Sequence, residues 1–210
     1  MWSIVVPVKL LTAAKSRLSP LGHHRRALAL AVACDTVSAT VRCDRVARVV
    51  VVTDDGDAAP RLRDLGAHIV ADDPNAGLNP ALAHGAAEAS RLLPAAGRAA
   101  LSADLPALRA ADLSRALDAA DEAAQSFVAD LAGTGTTLYA ARSGEEFAPA
   151  FGSDSRRRHR DHGVVEITLD GIDSLRRDVD TVDDLRAALV LGVGTATAEA
   201  AARAGVSAGV

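Results

Sequence analysis

Aromatic side chains are nearly missing from this sequence: one Trp, one Tyr and three Phe stand among 210 residues. Proteins that grip single-stranded nucleic acid stack bases on such rings, so this scarcity argues against that class. Basic charge is not in excess either. The 23 Lys and Arg face 27 Asp and Glu, for a net charge of −4, where a dedicated nucleic-acid binder needs the opposite balance. The two cysteines, Cys34 and Cys43, give neither a disulfide framework nor a zinc spacing, and they suit a reducing cytoplasm. No apolar run approaches bilayer-spanning length, and Met1-Trp2-Ser3 leads straight into an apolar segment with no basic leader. The expectation is a soluble cytoplasmic protein with no nucleic-acid and no membrane partner. A glycine-rich phosphate loop is also lacking after the first apolar run, where Pro7-Val8-Lys9 stands instead.

What is present is a large aliphatic fraction. Hydrophobic residues make up 49% of the chain, and the length suits one domain, 1–210, with a full core. β-branched or apolar runs at 4–8, 48–53 and 67–71 read as buried strands. Helical periodicity at 23–41 and turn signals around 57–65 place helices between them. This βαβαβ opening demands a parallel sheet with right-handed crossovers. Helices follow at 80–93, with Asn79 as N-cap and Pro80 at the first helical position, and at 110–124. Strands are expected at 99–101, 126–130, 164–168 and 173–179. Thr181 caps a closing helix at 182–191, and one more helix lies in the tail. The predicted fold class is α/β, a three-layer α/β/α arrangement around a Rossmann-like, mostly parallel sheet.

Strand ends deliver the chemistry. In open α/β sheets ligands gather beyond the carboxyl ends of the strands. The run at 99–101 ends in Ser102-Ala103-Asp104, and a second acidic pair follows at Asp178-Val179-Asp180. Residues two apart on a strand share a face. Three carboxylates from two strand ends would make a hard oxygen site suited to magnesium. The same residues also read as a helix cap and a solvated turn. Lys9, Lys15 and Arg17 lie beyond the opening strand, where they serve either as phosphate contacts or as ordinary surface cations. Gly133-Thr134-Gly135-Thr136-Thr137 offers backbone amides and hydroxyls with little bulk, an anion cradle that is also a hairpin turn. Gly152 and Ser155 open the basic helix Arg156-Arg157-Arg158-His159-Arg160, whose N-terminus favours a phosphate or carboxylate. His159 and His162, three apart, lack the further ligands a metal needs.

Taken in order, these pieces resemble the phosphoenolpyruvate or 2-phospho-L-lactate guanylyltransferases of coenzyme F420 biosynthesis. The resemblance is carried by Val8-Lys9 with Ala14-Lys15-Ser16-Arg17-Leu18, by Ala103-Asp104-Leu105-Pro106-Ala107-Leu108 and by Phe127-Val128-Ala129-Asp130. It continues through Gly133-Thr134-Gly135-Thr136, Phe151-Gly152-Ser153-Asp154-Ser155 with Arg158-His159, Asp178-Val179-Asp180-Thr181 and Leu191-Gly192-Val193-Gly194. It implies the fold of nucleoside-diphospho-sugar transferases, although that wider superfamily has a glycine-rich signature where this chain has Pro7-Val8-Lys9. It implies Mg2+ held by Asp104, Asp178 and Asp180, and a small phosphorylated three-carbon acid against Thr137, Gly152 and Ser155. GTP would lie against Lys9, Lys15, Arg17 and Asn79, with Asp104, Lys15 and Arg17 acting at the reacting phosphorus. GMP would pass from GTP to the acid with release of pyrophosphate, and a downstream transferase would use the unstable product. The two acids differ by one C=C bond, hence by hybridisation at C2 and C3, which these residues do not discriminate. The alternatives are a sugar-phosphate or molybdopterin nucleotidylyltransferase of the same fold, and a non-catalytic nucleotide-binding regulatory domain. Clustered carboxylates beside anionic ligands argue against the last.

Overall fold

A computed structural model describes residues 1–11, 16–73 and 75–208, the side chains of Ser16, Arg17 and Ser19 excepted. Strands β1 (Trp2–Pro7), β2 (Val46–Val52), β3 (His68–Val70), β4 (Gly97–Leu101), β5 (Gln125–Ala129), β6 (Thr136–Ala141) and β7 (Val165–Glu166) form one sheet. Their order is β3-β2-β1-β4-β6-β5-β7. The first four run parallel. β6 is antiparallel to both β4 and β5, and β7 returns parallel to β5. The mostly parallel α/β sheet expected from the sequence is thus present, with the antiparallel β5–β6 hairpin inserted beside β4.

Alternation along the strands buries both faces. Ile4, Val6, Val49, Val51, Ala99, Leu101, Val128, Leu138 and Ala140 point to one side. Val5, Val50, Val52, Ala100, Phe127, Ala129, Tyr139 and Ala141 point to the other. Successive strand residues face opposite ways, so near-continuous apolar runs are what a sheet covered on both faces requires. Helices α1 (His24–Val41), α2 (Ala58–Asp64) and α4 (Ala110–Ala120) cover the first face, through Ala29, Ala33, Val37, Leu62, Leu113 and Leu117. Helix α3 (Leu78–Leu92) covers the second, through Ala81, Leu82, Ala86 and Ala89. Its seat is close: a Cβ on Gly85 would lie 2.5 Å from Val5 and 2.6 Å from Val52. Helices α7 (Val182–Leu191) and α8 (Thr195–Arg203) pack outside α1 in a third cluster. There Asp35 of α1 accepts from the amides of Ala196 and Thr197 at the start of α8.

Three sequence expectations are corrected. α3 begins at Leu78 after Gly77, whose φ is +105°, so Asn79 and Pro80 lie inside its first turn and Asn79 is not the cap. α4 ends at Ala120 rather than 124. Residues 173–179 are not a strand. Asp173–Arg176 is a single helical turn, α6, because Ser174 is drawn to Asp112 at 2.6 Å and accepts from the Arg109 amide at 3.0 Å. Thr181 does cap α7, in a reciprocal capping box with Asp184. Among the described residues no helix is long and apolar enough to cross a membrane.

Candidate active site

The strand order changes direction between β1 and β4: β1 leads to β2 on one side, and β4 lies on the other. Such switch points open a crevice at the carboxyl ends of the strands. A cleft of about 240 Å³ lies here. Pro7, Val8 and Lys9 line it from the end of β1, Leu101 to Asp104 from the end of β4, and Leu78, Leu82, Phe151 and Asp180 from around them.

Asp104 is fixed on both sides. The Ser102 amide donates to the Thr137 carbonyl at 2.8 Å, and the Leu105 amide donates to Thr36 Oγ1 at 3.0 Å. Asp104 does not cap α4, since that helix begins at Ala110 with Arg109 in the cap position. Its own carbonyl accepts from the Val179 amide at 3.0 Å. This one backbone bond joins segments 75 residues apart (179 − 104) and brings Asp178 and Asp180 to Asp104. Val179 is fully buried, and the acids on either side of it are half-buried, so this pair is not a solvated turn.

Convergence of like charges has a measurable consequence. Burial, then Asp104, then Asp180, push the Asp178 carboxyl up to about 7, with Asp130 adding to the effect. Carboxylates gathered so closely repel one another, and hard oxygen donors of this kind suit a divalent cation. The residues therefore fit a metal, with Asp104, Asp178 and Asp180 as the candidate donors. They do not form a closed cage: among the described residues no group of three or more His, Cys, Asp or Glu side chains is already arranged around an ion position. Magnesium commonly keeps waters and substrate phosphates in its shell rather than a full set of protein ligands.

The Gly133–Thr137 turn is not an open cradle. Its amides are already filled by the chain's own anion, since Thr134 N and Gly135 N donate to the Asp130 carboxylate at 2.9 and 2.8 Å. A Cβ on Gly135 would lie 2.5 Å from that carboxylate, which is why glycine stands there. Thr137 is buried, and among the described residues its Oγ1 has no hydrogen-bond partner. A buried hydroxyl left in that state is costly, and a ligand oxygen would relieve it. Gly152 and Asp154 both have positive φ, +118° and +54°. They turn the chain into α5 (Ser155–Asp161), with Ser155 buried at its first position.

Asn79 has a role that its sequence position hid. Its Nδ2 donates to the Phe151 carbonyl at 3.1 Å, and its Oδ1 accepts from the Phe151 amide at 2.9 Å. The side chain clamps the 151–155 turn beside the cleft. Arg158 grips the same turn, with Nη2 donating to the carbonyls of Ala150 at 2.9 Å and Phe151 at 3.1 Å. His159 is buried with both ring nitrogens engaged by protein, so a His159–His162 metal site is ruled out. Lys9 is exposed on the cleft rim. Lys15 and the Arg17 side chain lie outside the described residues. Asp130, Arg158 and His159 carry site-building roles that no local pattern announced. The one available hint was an acid at a strand end immediately before a glycine-rich turn.

The model of the family described as Guanylyl transferase CofC like matches residues 2–208. The chain belongs to this family. A curated relative from Thermomonospora curvata, named phosphoenolpyruvate guanylyltransferase, is 61% identical over 203 residues, covering 96% of this chain and 89% of its own. Among solved structures, a protein described as a nucleotide-diphospho-sugar transferase from Desulfovibrio desulfuricans G20 is similar, with a TM-score of 0.64 at 16% identity. That match covers 88% of this chain and 84% of the other. Rv0371C from Mycobacterium tuberculosis, solved as a complex with manganese, has a TM-score of 0.55 at 23% identity, over 90% of this chain and 97% of its own. The fold is that of the nucleoside-diphospho-sugar transferase type.

Proposed function

We propose that this chain is a phosphoenolpyruvate guanylyltransferase acting in the cytoplasm as one nucleotidyltransferase domain in coenzyme F420 biosynthesis. It would join GMP from GTP to the phosphate of the acid and release pyrophosphate. The observation that carries this reading is the 61% identity, along nearly the whole chain, to the relative of that name. The switch-point cleft, with carboxylates on one wall and the Phe151 turn on another, agrees with it.

The roles divide as follows. Asp104, Asp178 and Asp180 would hold a divalent cation, taken here to be Mg2+, which when bound neutralises phosphate charge. Lys9 supplies a flexible point charge at the rim for the triphosphate, as lysine does for phosphates. Thr137 Oγ1, the Gly152 backbone and Ser155 hold the acid on the opposite side. A phosphate monoester is already an anion near neutral pH, so its oxygen can attack the α-phosphorus without a general base. What remains for the protein is positioning and charge stabilisation. A product of this type is a mixed anhydride of two phosphates, and we place a downstream transferase next to receive it.

The test is incubation with GTP and Mg2+ and, in separate reactions, phosphoenolpyruvate, 2-phospholactate and a sugar phosphate, following pyrophosphate release and product mass. Phosphoenolpyruvate should give the guanylylated product. A sugar phosphate outperforming both acids would overturn the acceptor assignment, and nucleotide binding without turnover on any acceptor would overturn the enzymatic one.

A further inference from the structure

Four of the five aromatic side chains in this protein gather in one cluster, and at its centre stands a histidine. The His159 ring lies 5.2 Å from Phe127, 5.2 Å from Tyr139 and 6.0 Å from Phe151, centroid to centroid. Phe147 packs edge-on against Tyr139 at 5.5 Å. The imidazole is fully buried. Its Nε2 accepts from the Ala150 amide at 2.9 Å, and Nδ1 lies 3.0 Å from Thr136 Oγ1. A backbone amide can only donate, so Nε2 is unprotonated and the neutral ring carries its proton on Nδ1.

This cluster anchors a long stretch without regular structure, residues 142–154. Tyr139 Oη accepts from the Ala148 amide at 3.2 Å. Arg98 reaches the Glu145 carbonyl and lies 5.9 Å above the Phe147 ring. His159 takes the Ala150 amide, while Arg158 and Asn79 take the carbonyls of Ala150 and Phe151 and the amide of Phe151. Loops of this length are commonly mobile or functional, yet here the bonds from His159, Arg158 and Asn79 converge on the two residues before Gly152. Side chains that orient a binding group through such a polar network set its geometry without touching the ligand.

We propose that His159 is a positioning residue: held as the Nδ1–H tautomer by Thr136, it fixes the Ala150 amide and thereby the backbone of Gly152 and Ser155 in the conformation that receives the phosphorylated acid. This rests on the assignment of those residues to the acid made above. The imidazole ties the Ala150 amide, before the turn, to α5, the helix after it that carries both Ser155 and His159.

The tautomer is read on the unmodified protein. A long-range proton–nitrogen correlation of isotope-labelled protein at neutral pH should report His159 as Nδ1–H, and the Nε2–H form overturns the proposal. His159→Phe keeps a flat ring and removes both polar contacts. It should raise KM for phosphoenolpyruvate roughly tenfold and leave KM for GTP near the wild-type value. His159→Gln, whose amide oxygen reaches the former Nε2 position, should recover most of that loss. Equal rises in both KM values, or no recovery with Gln, overturn the proposal. Hydrogen exchange at the Ala150 and Gly152 amides provides a readout free of turnover. It should speed up in His159→Phe and slow again in His159→Gln, and unchanged exchange in His159→Phe overturns the clamp. A wild-type protein that guanylylates no three-carbon acid refutes the functional assignment, while tautomer and exchange still decide the role of His159.

Discussion

The two walls of the cleft are built on opposite principles. One wall gathers Asp104, Asp178 and Asp180, where burial and then mutual repulsion push Asp178 up to about 7. The other gathers rings and paired hydrogen bonds around His159, with the amide of Ala150, the carbonyls of Ala150 and Phe151 and the Asn79 amide all matched. The acid wall crowds like charges, and on the proposed reading a divalent cation would relieve that crowding. The aromatic wall holds its turn in place as folded, with the buried Thr137 Oγ1, unbonded among the described residues, left for a ligand oxygen. Function explains the asymmetry. On the proposed reading, a site that must stabilise charge only when the triphosphate arrives gains from clustered carboxylates that would hold a cation there, whereas a site that must recognise a three-carbon acid gains from a backbone fixed in advance.

The sharpest way to break this contrast is Asp104→Ala. Turnover should fall about a hundredfold or more, as it does when an electrostatic partner of the transition state is removed. The melting temperature of the metal-free protein should hold or rise, because one of the charges crowding Asp178 is gone. Near-normal turnover would remove Asp104 from the mechanism, and a large loss of stability would mean the acid wall is structural. Gly152→Ala strikes the other wall. Its φ of +118° imposes strain of about 1–3 kcal/mol on a side chain, and the new Cβ would lie 3.2 Å from Arg158 Nη2. Both stability and affinity for the acid should drop together, with KM for the acid rising roughly tenfold while KM for GTP stays constant. A rise confined to GTP would place the turn on the wrong substrate. Lys9→Ala is milder. An exposed point charge of this kind contributes about 1 kcal/mol, so KM for GTP should rise several-fold, with a smaller loss at higher salt. No salt dependence would deny it a phosphate contact.

These walls differ as much in how plainly the sequence announces them. Asp104 stands out because a short apolar run stops at an acid before Pro106, a pattern that reads equally as a helix cap until α4 is seen to begin at Ala110. The parallel half of the sheet is legible from its apolar runs: Ile4 to Val6 and Val49 to Val52 must bury both faces. Asp178 and Asp180 were placed beside Asp104 for a partly mistaken reason. The segment before them is a helical turn held by Asp112 and by the carbonyls of Ala129 and Asp130 that Arg176 reaches, contacts 62, 47 and 46 residues away along the chain. The aromatic wall was almost invisible. Asn79 looked like a cap because its true partner, Phe151, lies 72 residues downstream. The Gly133–Thr137 turn looked like a vacant anion cradle because no local rule says that Asp130 folds back into it. His159 looked like one member of a basic helix, three residues from a second histidine. Patterns of period and strand ends are local, and polar networks that stabilise irregular backbone are not.

The smallest effect tests both walls at once, through the pH dependence of folding. Asp178 is raised above its ordinary carboxylate value, so between about pH 4 and about 7 the folded chain keeps a proton that the unfolded chain has released. Stability from this group is therefore lost as pH rises through about 7. His159 is lowered to about 4, first by burial and then by Arg158 and His162. Here the unfolded chain holds the extra proton, and stability is lost as pH falls toward 4. The two slopes oppose each other from about pH 4 to 6.5, the ordinary histidine value. Above that window only the carboxylate contributes. Metal-free protein should thus lose a few degrees of melting temperature between about pH 6.5 and 7.5, a change consistent with roughly 1 kcal/mol or less. Asp178→Asn should abolish that loss and leave the rise from pH 4 to 6.5 exposed. Mg2+ competes with the proton for the same oxygens, so the stabilisation it gives should grow with pH across that interval. A Mg2+ stabilisation that is the same at pH 5.5 and pH 8, or a slope that survives in Asp178→Asn, would detach the cation from Asp178 and leave the acid wall without its reason for being crowded.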